Sequence, residues 1–262
     1  LNSNEIMIYS SGWNYVTVSD SLGCIANDSV YVNVKISGCT DSIAVNYNPF
    51  AQCNDSLECC YIAGCTDPIA TNFDNNACYN NNSCQYLVNN ITQNTGYSVI
   101  QTAINNSNSG DTIIVSSGTY YENINFNGKS IVLASDFLLT GDTSYITSTI
   151  IDGNQNGTVV TIKNNEGKGT ELCKVVGFTI TNGSGTQGYG GGFWIEDVYV
   201  TLDNLIIRDN YSTANFIDQG SAIYCINWSQ VIFTNLEVFN NSTFYRVIMI
   251  SSYSSGYLEN IN

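Results

Sequence analysis

An all-β chain organised around a stack of short strands is predicted by three observations. The first is a loose repeat between Thr149 and Asn262. Four segments read Ile150-Ile151-Asp152-Gly153, Phe178-Thr179-Ile180-Thr181-Asn182-Gly183, Leu205-Ile206-Ile207-Arg208-Asp209-Asn210 and Leu236-Glu237-Val238-Phe239-Asn240-Asn241. Apolar residues alternate with others and stop at an Asx, at positions 152, 182, 209 and 240, so the unit recurs every 27 to 31 residues. The second is composition: Asn, Ser, Thr, Gly and Tyr abound, Lys is scarce, and there are only 2 Pro, so helix formers are thin. The third is cysteine usage: of 10 Cys, those between Cys39 and Cys84 form a dense cluster.

Period-2 alternation makes a strand with one buried face. Asn and Gly tolerate positive φ, which lets the chain turn sharply after each strand. Units of this length that cannot bury their own faces do so by stacking, as a solenoid. In such a stack Asp152, Asn182, Asp209 and Asn240 fall in a column and hydrogen-bond along it. Two further segments repeat: Gly190-Gly191-Gly192-Phe193-Trp194-Ile195 matches Gly220-Ser221-Ala222-Ile223-Tyr224-Cys225, and Val200-Thr201-Leu202-Asp203-Asn204 matches Val231-Ile232-Phe233-Thr234-Asn235. The pattern gives three short strands per turn. It resembles the right-handed parallel β-helix of the pectin-lyase-like superfamily over residues 88–262, with the last coil cut short. Because many activities share that fold, the resemblance implies architecture rather than function.

In chain order, residues 1–36 read as strands. Tyr15-Val16-Thr17-Val18-Ser19 alternates, Asp20-Ser21-Leu22-Gly23 turns, and Val30-Tyr31-Val32-Asn33-Val34 alternates again. This pattern is similar to the last strands of an immunoglobulin-like or polycystic-kidney-disease-type domain, which implies a partial β-sandwich. Residues 37–87 hold two copies of one unit: Gly38-Cys39-Thr40-Asp41 matches Gly64-Cys65-Thr66-Asp67, and Cys53 and Cys59 match Cys78 and Cys84. They resemble the Gly-Cys-Thr-Asp repeats of secreted proteins from marine Bacteroidetes. Disulfides are expected among Cys39, Cys53, Cys59, Cys60, Cys65, Cys78 and Cys84, stapling units too small for a core. Seven Cys leave one over, for Cys24 or a chain outside this piece, and the pairing stays open. Zinc is disfavoured, since there is no His and the spacing is wider than a CxxC pair. The usual unit ends in Asp-Asp-Gly-Ser-Cys; here those acids are diluted, which leaves Asp41 and Asp67 as weak calcium candidates and no other cofactor.

Residues 88–110 lead into the repeat. Val99, Ile100, Ala103 and Ile104 have helical spacing, and a short helix there would cap the open end of the first coil. Gly118-Thr119-Tyr120-Tyr121-Glu122 and Gly128-Lys129-Ser130-Ile131-Val132-Leu133 resemble the opening coils of many pectin-lyase-like proteins. Cys173 and Cys225 sit at apolar strand positions on different faces of the coil, as buried thiols rather than a bond.

Twenty-two acidic residues against 7 basic ones give a net charge of −15, which excludes nucleic acid and anionic membrane as partners. No apolar run approaches the length of a transmembrane helix, and no signal-like run opens the sequence. The chain therefore reads as a piece of a longer secreted protein, extracellular or at a cell surface, with its signal and anchor elsewhere.

Glycan hydrolases of the resembled fold use clustered Asp pairs and often a His; this repeat region has neither. Lyases of the fold use an Arg or Lys base near calcium-holding acids. Arg208-Asp209, with Asp203 and Glu237 nearby in the pattern, is the nearest candidate, and its alternative is a solvated Arg paired across coils. No catalytic residue is assigned. Aromatic residues give the binding hint. Tyr189, Trp194, Tyr199, Tyr211, Tyr224, Trp228, Tyr245, Tyr253 and Tyr257 suit stacking on sugar rings or packing on another protein. Trp194, Tyr199, Arg208, Tyr224 and Trp228 are the ligand-facing set. The expected role is adhesion or extracellular scaffolding towards a glycan or protein surface. The alternatives are a polysaccharide-binding or lyase-like protein, and a self-associating fibre subunit.

Overall fold

The computed structural model describes residues 10–54, 59–163, 173–185, 190–212, 220–243, 246–251 and 253–261. Among the described residues strand predominates and helix is confined to three short segments. The chain divides into two compact units. One comprises Leu1–Pro68 with Asn72–Cys84, the other Ile69–Thr71 with Gln85–Asn262. No helix among the described residues is long and apolar enough to cross a membrane.

The first unit opens with an antiparallel hairpin. Gly12–Ser19 pairs with Ile25–Val32 in unbroken register from Gly12↔Val32 to Ser19↔Ile25. Asp20 fixes the turn by accepting the Leu22 and Cys24 amides at 2.9 Å. Those two bonds hold the Asp20 carboxyl below its usual range. Both faces of the hairpin remain open: Trp13, Tyr15, Val18, Ile25 and Tyr31 are all exposed. Two strands alone cannot bury an apolar face.

Each Cys-rich copy contributes one short parallel pair, Ser37–Gly38 with Cys53–Asn54 and Ala63–Gly64 with Tyr79–Asn80. Disulfides join Cys39 to Cys59, Cys60 to Cys78 and Cys65 to Cys84. Two of the three are equivalent between copies. The third has no counterpart, and the backbone shows why. The Gln52 amide donates to the Ile36 carbonyl as the Cys78 amide donates to the Ile62 carbonyl. Cys53 pairs with Ser37 as Tyr79 pairs with Ala63. Gln52 therefore holds the place of Cys78, and Cys53 that of Tyr79. The match of Cys53 to Cys78 expected from spacing is one residue out, and a one-residue slip sends a side chain to the other face of a strand. Val34, five residues before Cys39, stands where Cys60 stands before Cys65. Cys53 is thus an exposed thiol, as is Cys24.

The second unit is built from parallel pairs. The register Tyr120↔Ile151↔Ile180↔Ile207↔Val238 links five successive segments. A second register, Ile113↔Leu133↔Val175↔Leu202↔Phe233, runs through the same eleven-stranded sheet. A third, Ile124↔Val160↔Phe193↔Ile223↔Ile248, forms a five-stranded sheet. The inward residues of all three registers meet in one apolar cluster, most of them fully buried. Val238 and Ile248, in the later segments, are only partly buried. Ile180, Ile207 and Val238 therefore stand in one column, with its last member half open. Corners between strands are turned by left-handed residues at Gly177, Asn204 and Asn235, whose φ values are 79°, 52° and 52°.

The start of this unit is closed in two ways. Val88–Asn90 pairs antiparallel with Thr112–Val115 and covers that sheet edge. Helix α1, Ile100–Asn106, lays Ile100, Ala103 and Ile104 on the core. The N-cap residue, Val99, lends no side chain to its free amides. Glu122 does so instead, accepting the Ile100 and Gln101 amides at 2.9 and 2.8 Å. Lys129 Nζ donates to the Ile104 and Asn105 carbonyls at 2.7 and 2.8 Å at the other end. A carboxylate at the positive end and an ammonium at the negative end both oppose the helix dipole. The spacing argument finds the helix; its two caps lie 22 and 25 residues from the residues they hold. Two further helices, α2 (Phe137–Thr140) and α3 (Ser144–Ser148), interrupt the strands and were not expected.

Candidate functional site

The outward face of the five-stranded sheet brings Trp194 and Tyr224 together. Its strands place Thr161, Trp194 and Tyr224 in one register and Lys163, Glu196 and Ile226 in the next. Alternation in Phe193–Glu196 explains this: Phe193 and Ile195 are fully buried, so Trp194 and Glu196 must face out. Lys163 Nζ lies 3.0 Å from the Trp194 ring centroid and 3.8 Å from a Glu196 carboxylate oxygen. Partial burial pulls the Lys163 pKa down, and the Glu196 charge opposes that shift. The ammonium thus sits between an aromatic face and a carboxylate, an arrangement that fixes the indole plane. Trp194 and Tyr224 are half-buried rather than exposed.

At the end of this sheet the chain turns at Asn227 and Trp228, both left-handed, with φ of 56° and 64°. Asn227 Nδ2 donates to Glu196 Oε1 at 2.7 Å. Trp228 stacks on Tyr253 with centroids 4.5 Å apart and ring planes 10° from parallel.

The ligand-facing set expected from sequence is not one surface. Trp194 and Tyr224 share the five-stranded sheet, Trp228 lies in its corner, and Tyr199 and Arg208 belong to the eleven-stranded sheet. Tyr199 is half-buried beside Gln230. Tyr189 and Tyr245 lie outside the described residues. Tyr257 is exposed on the terminal strand Ser255–Ile261.

Arg208 faces outward in the column Asp152–Thr181–Arg208–Phe239. It pairs with its own neighbour, Asp209, not across coils. Glu237 is in register with Ile206 instead. It lines a cleft of about 440 Å³ under α3 with Thr147 and Asn235. Asp203 accepts from the Asn204 amide at 2.8 Å. Glu237 stands two residues from Arg208 along the same outward face, and the corner at Asn204 separates Asp203 from it, so the acids that spacing grouped around Arg208 are dispersed.

The Asx column also needs correction. Asp152 pairs with Thr181, so it is the last strand residue and not the corner residue. Asn182, Asp209 and Asn240 are the corner residues, with φ of 56°, 56° and 52°. Asn182 Nδ2 reaches Asp152 at 2.8 Å, but Asp209 turns to Arg208. The continuous ladder is one residue further on. Asn210 Oδ1 accepts the Gly183 amide at 2.8 Å, and Asn210 Nδ2 donates to Ile180 O and Asn241 Oδ1 at 3.1 and 3.0 Å. Asn241 Nδ2 continues to Ile207 O at 2.8 Å. Asn210 is completely buried. Gly183 heads this ladder because a Cβ there would lie 2.0 Å from the Gly191 carbonyl oxygen. The signal was legible as the Gly or Asn that follows each Asx.

Asp41 is a turn residue. Its carboxylate accepts the Ile43 amide at 3.1 Å and the Tyr61 hydroxyl at 2.9 Å. The carbonyl of Asp67 lies 3.8 Å from the Cys65 sulfur. Among the described residues no group of three or more His, Cys, Asp or Glu side chains is placed to hold a metal. Cys173, just before the strand Lys174–Val176, and Cys225, in the five-stranded sheet, are both buried; burial pushes the Cys225 thiol up to about 11, against hydrogen bonds with Ser229 and Ser254. No protein-family model, curated protein or solved structure matches this chain.

Proposed function

We propose that residues 88–262 are a right-handed parallel β-helix and that the chain is a non-catalytic piece of a large secreted bacterial surface protein. Its role is adhesion or extracellular scaffolding. The observation that carries this reading is the outward face of the five-stranded sheet, where Trp194 and Tyr224 stand in register with the Lys163–Glu196 pair beside them. Parallel strands fix side chains in straight rows, and a row of aromatic and polar groups on a rigid face suits repeated weak contacts better than chemistry. Three disulfides suit an oxidising, extracellular setting. The same face favours a glycan as the second reading, since aromatic rings flanked by carboxylate and ammonium groups match the apolar faces and hydroxyls of sugars.

The test is adhesion of beads coated with the intact chain to glycan-coated and protein-coated surfaces. Retention that drops in the Trp194→Ala/Tyr224→Ala double variant supports the reading; a parent chain retained on neither surface sinks it. Lyase chemistry is tested in parallel on pectate and alginate with calcium, by ultraviolet absorbance of unsaturated product. No product is expected. Sustained product that disappears in Arg208→Ala would replace adhesion with a lyase.

A further inference from the structure

The corner after the five-stranded sheet departs from the turn chemistry of the rest of the molecule. Among the described residues, fourteen non-glycine positions have positive φ, and twelve of them are Asn, Asp or Gln. The two others are Trp228 and Tyr253, at φ 64° and 62°. Short polar side chains relieve this conformation by local hydrogen bonds, and glycine adopts it freely; a bulky aromatic ring does neither. Two consecutive left-handed residues, as at Asn227 and Trp228, call for Asn followed by Gly. The chain supplies the Asn and then a Trp. The coil before turns the same corner with Asp197, at φ 57°. Strain kept at two neighbouring corners, where an available residue would remove it, marks a functional demand on the side chains.

That demand is not burial. Trp228 is 62% exposed and Tyr253 81%. The pair is a flat aromatic stack held out in solvent. We propose that Trp228 and Tyr253 form a stacking platform for a neutral sugar ring of an extracellular glycan, with the adjoining Asn227 amide and Glu196 carboxylate meeting its hydroxyls. This rests on the adhesion reading and names its partner.

The surroundings select this occupant over others. A net charge of −15 repels uronates, sulfated glycans and nucleic acid. An aromatic hot spot for a protein partner is ringed by neighbours that exclude water. Here the residues flanking the pair are Asn227, Ser229 and Ser254, and Ser229 and Ser254 are already bonded to each other across the coils. A pyranose ring needs the opposite: an open aromatic face with polar groups at its edge. The Asn227–Glu196 bond holds one amide and one carboxylate in fixed orientation beside the stack.

The deciding experiment combines binding with stability, because the two explanations of the strain predict opposite signs. The intact chain, Trp228→Gly and Trp228→Asn are titrated against immobilised neutral hexasaccharides of β-1,4-glucan, β-1,3-glucan, β-1,4-mannan and β-1,4-xylan. Thermal melting is measured on the same samples. The expected result is that at least one hexasaccharide binds, that affinity falls at least about tenfold in both variants, and that their Tm equals or exceeds the parent's, since Gly and Asn remove the strain. A lowered Tm with unchanged binding would show that the stack serves the fold and would overturn the proposal. If no hexasaccharide binds while coated beads still adhere through the Trp194–Tyr224 face, the platform is refuted and the adhesion reading stands.

Discussion

The two compact units solve the same problem by different means. The first leaves its hairpin open on both faces and holds its Cys-rich copies with three disulfides. Among its described residues the buried apolar ones are few: Cys39, Ala44, Cys60 and Cys65. The second buries rows of Ile, Val, Leu and Phe from three registers of strands, and its described cysteines form no disulfide. A segment too short to bury a core gains stability by restricting its unfolded state; a stacked sheet gains it from apolar area removed from water. The comparison teaches where each unit is vulnerable, and it can be broken selectively.

Reduction should give the largest effect. Each disulfide closes a loop of 18 to 20 residues, a constraint of about 3 kcal/mol. Dithiothreitol should therefore unfold the first unit and leave the melting of the second unchanged, as read by hydrogen exchange in the two regions. Protection in 37–84 that survives reduction would contradict the comparison.

The converse break is Ile207→Asp. Ile207 is fully buried between Ile180 and Val238, and an unpaired carboxylate there costs several kcal/mol or titrates upward. The second unit should melt early while the disulfides stay formed. Parent-like melting would mean that the register is wrong.

Asn210→Ala is the next step down. It strands the Gly183 amide and the Ile180 carbonyl, for an expected loss of about 3 kcal/mol. Asp209→Asn, at the half-buried neighbour, keeps the left-handed corner and should cost less than about 1 kcal/mol; the reverse ranking would restore the outer column as the structural one.

Glu122→Ala removes both amide partners at the start of α1, for about 1 kcal/mol. A related pH effect comes from Asp111. Burial raises its pKa, but bonds from the Asn108 amide, Asn90 and Gln93, with the Lys129 charge, outweigh it, so the folded value lies below 3.8. A depressed carboxyl contributes stability above its unfolded value and loses it as pH falls through the folded one. Acid should therefore destabilise the parent below about pH 4 more steeply than Asp111→Asn. Parallel acid curves would remove Asp111 from that role.

The smallest effect sharpens the comparison without breaking either unit. Alkylation without reductant should label Cys24 and Cys53, which are exposed, and spare Cys173 and Cys225 until the protein is denatured. Melting should not change. Labelling of Cys78 in place of Cys53 would reinstate the spacing-based match.

Much of this was legible in the sequence because it depends on local chemistry. Alternation in Phe193–Glu196 and Leu205–Arg208 decides which residues face in. Asn and Gly decide where the chain turns, and the seven clustered cysteines announce disulfides before any pairing is known. The helix at Ile100–Asn106 follows from the spacing of Ile100, Ala103 and Ile104. What the sequence could not decide was register and reach. Cys53 looks equivalent to Cys78 by spacing, yet one residue in the backbone pairing gives that place to Gln52. Asp152 looks like a corner residue, yet it pairs with Thr181 and leaves the ladder to Asn210 and Asn241. Glu122 and Lys129 cap a helix more than twenty residues away. Trp228 and Tyr253 meet only because the strands flanking their two corners pair in parallel. Local periodicity fixes the direction of each side chain; only the stacking of distant segments fixes what it meets.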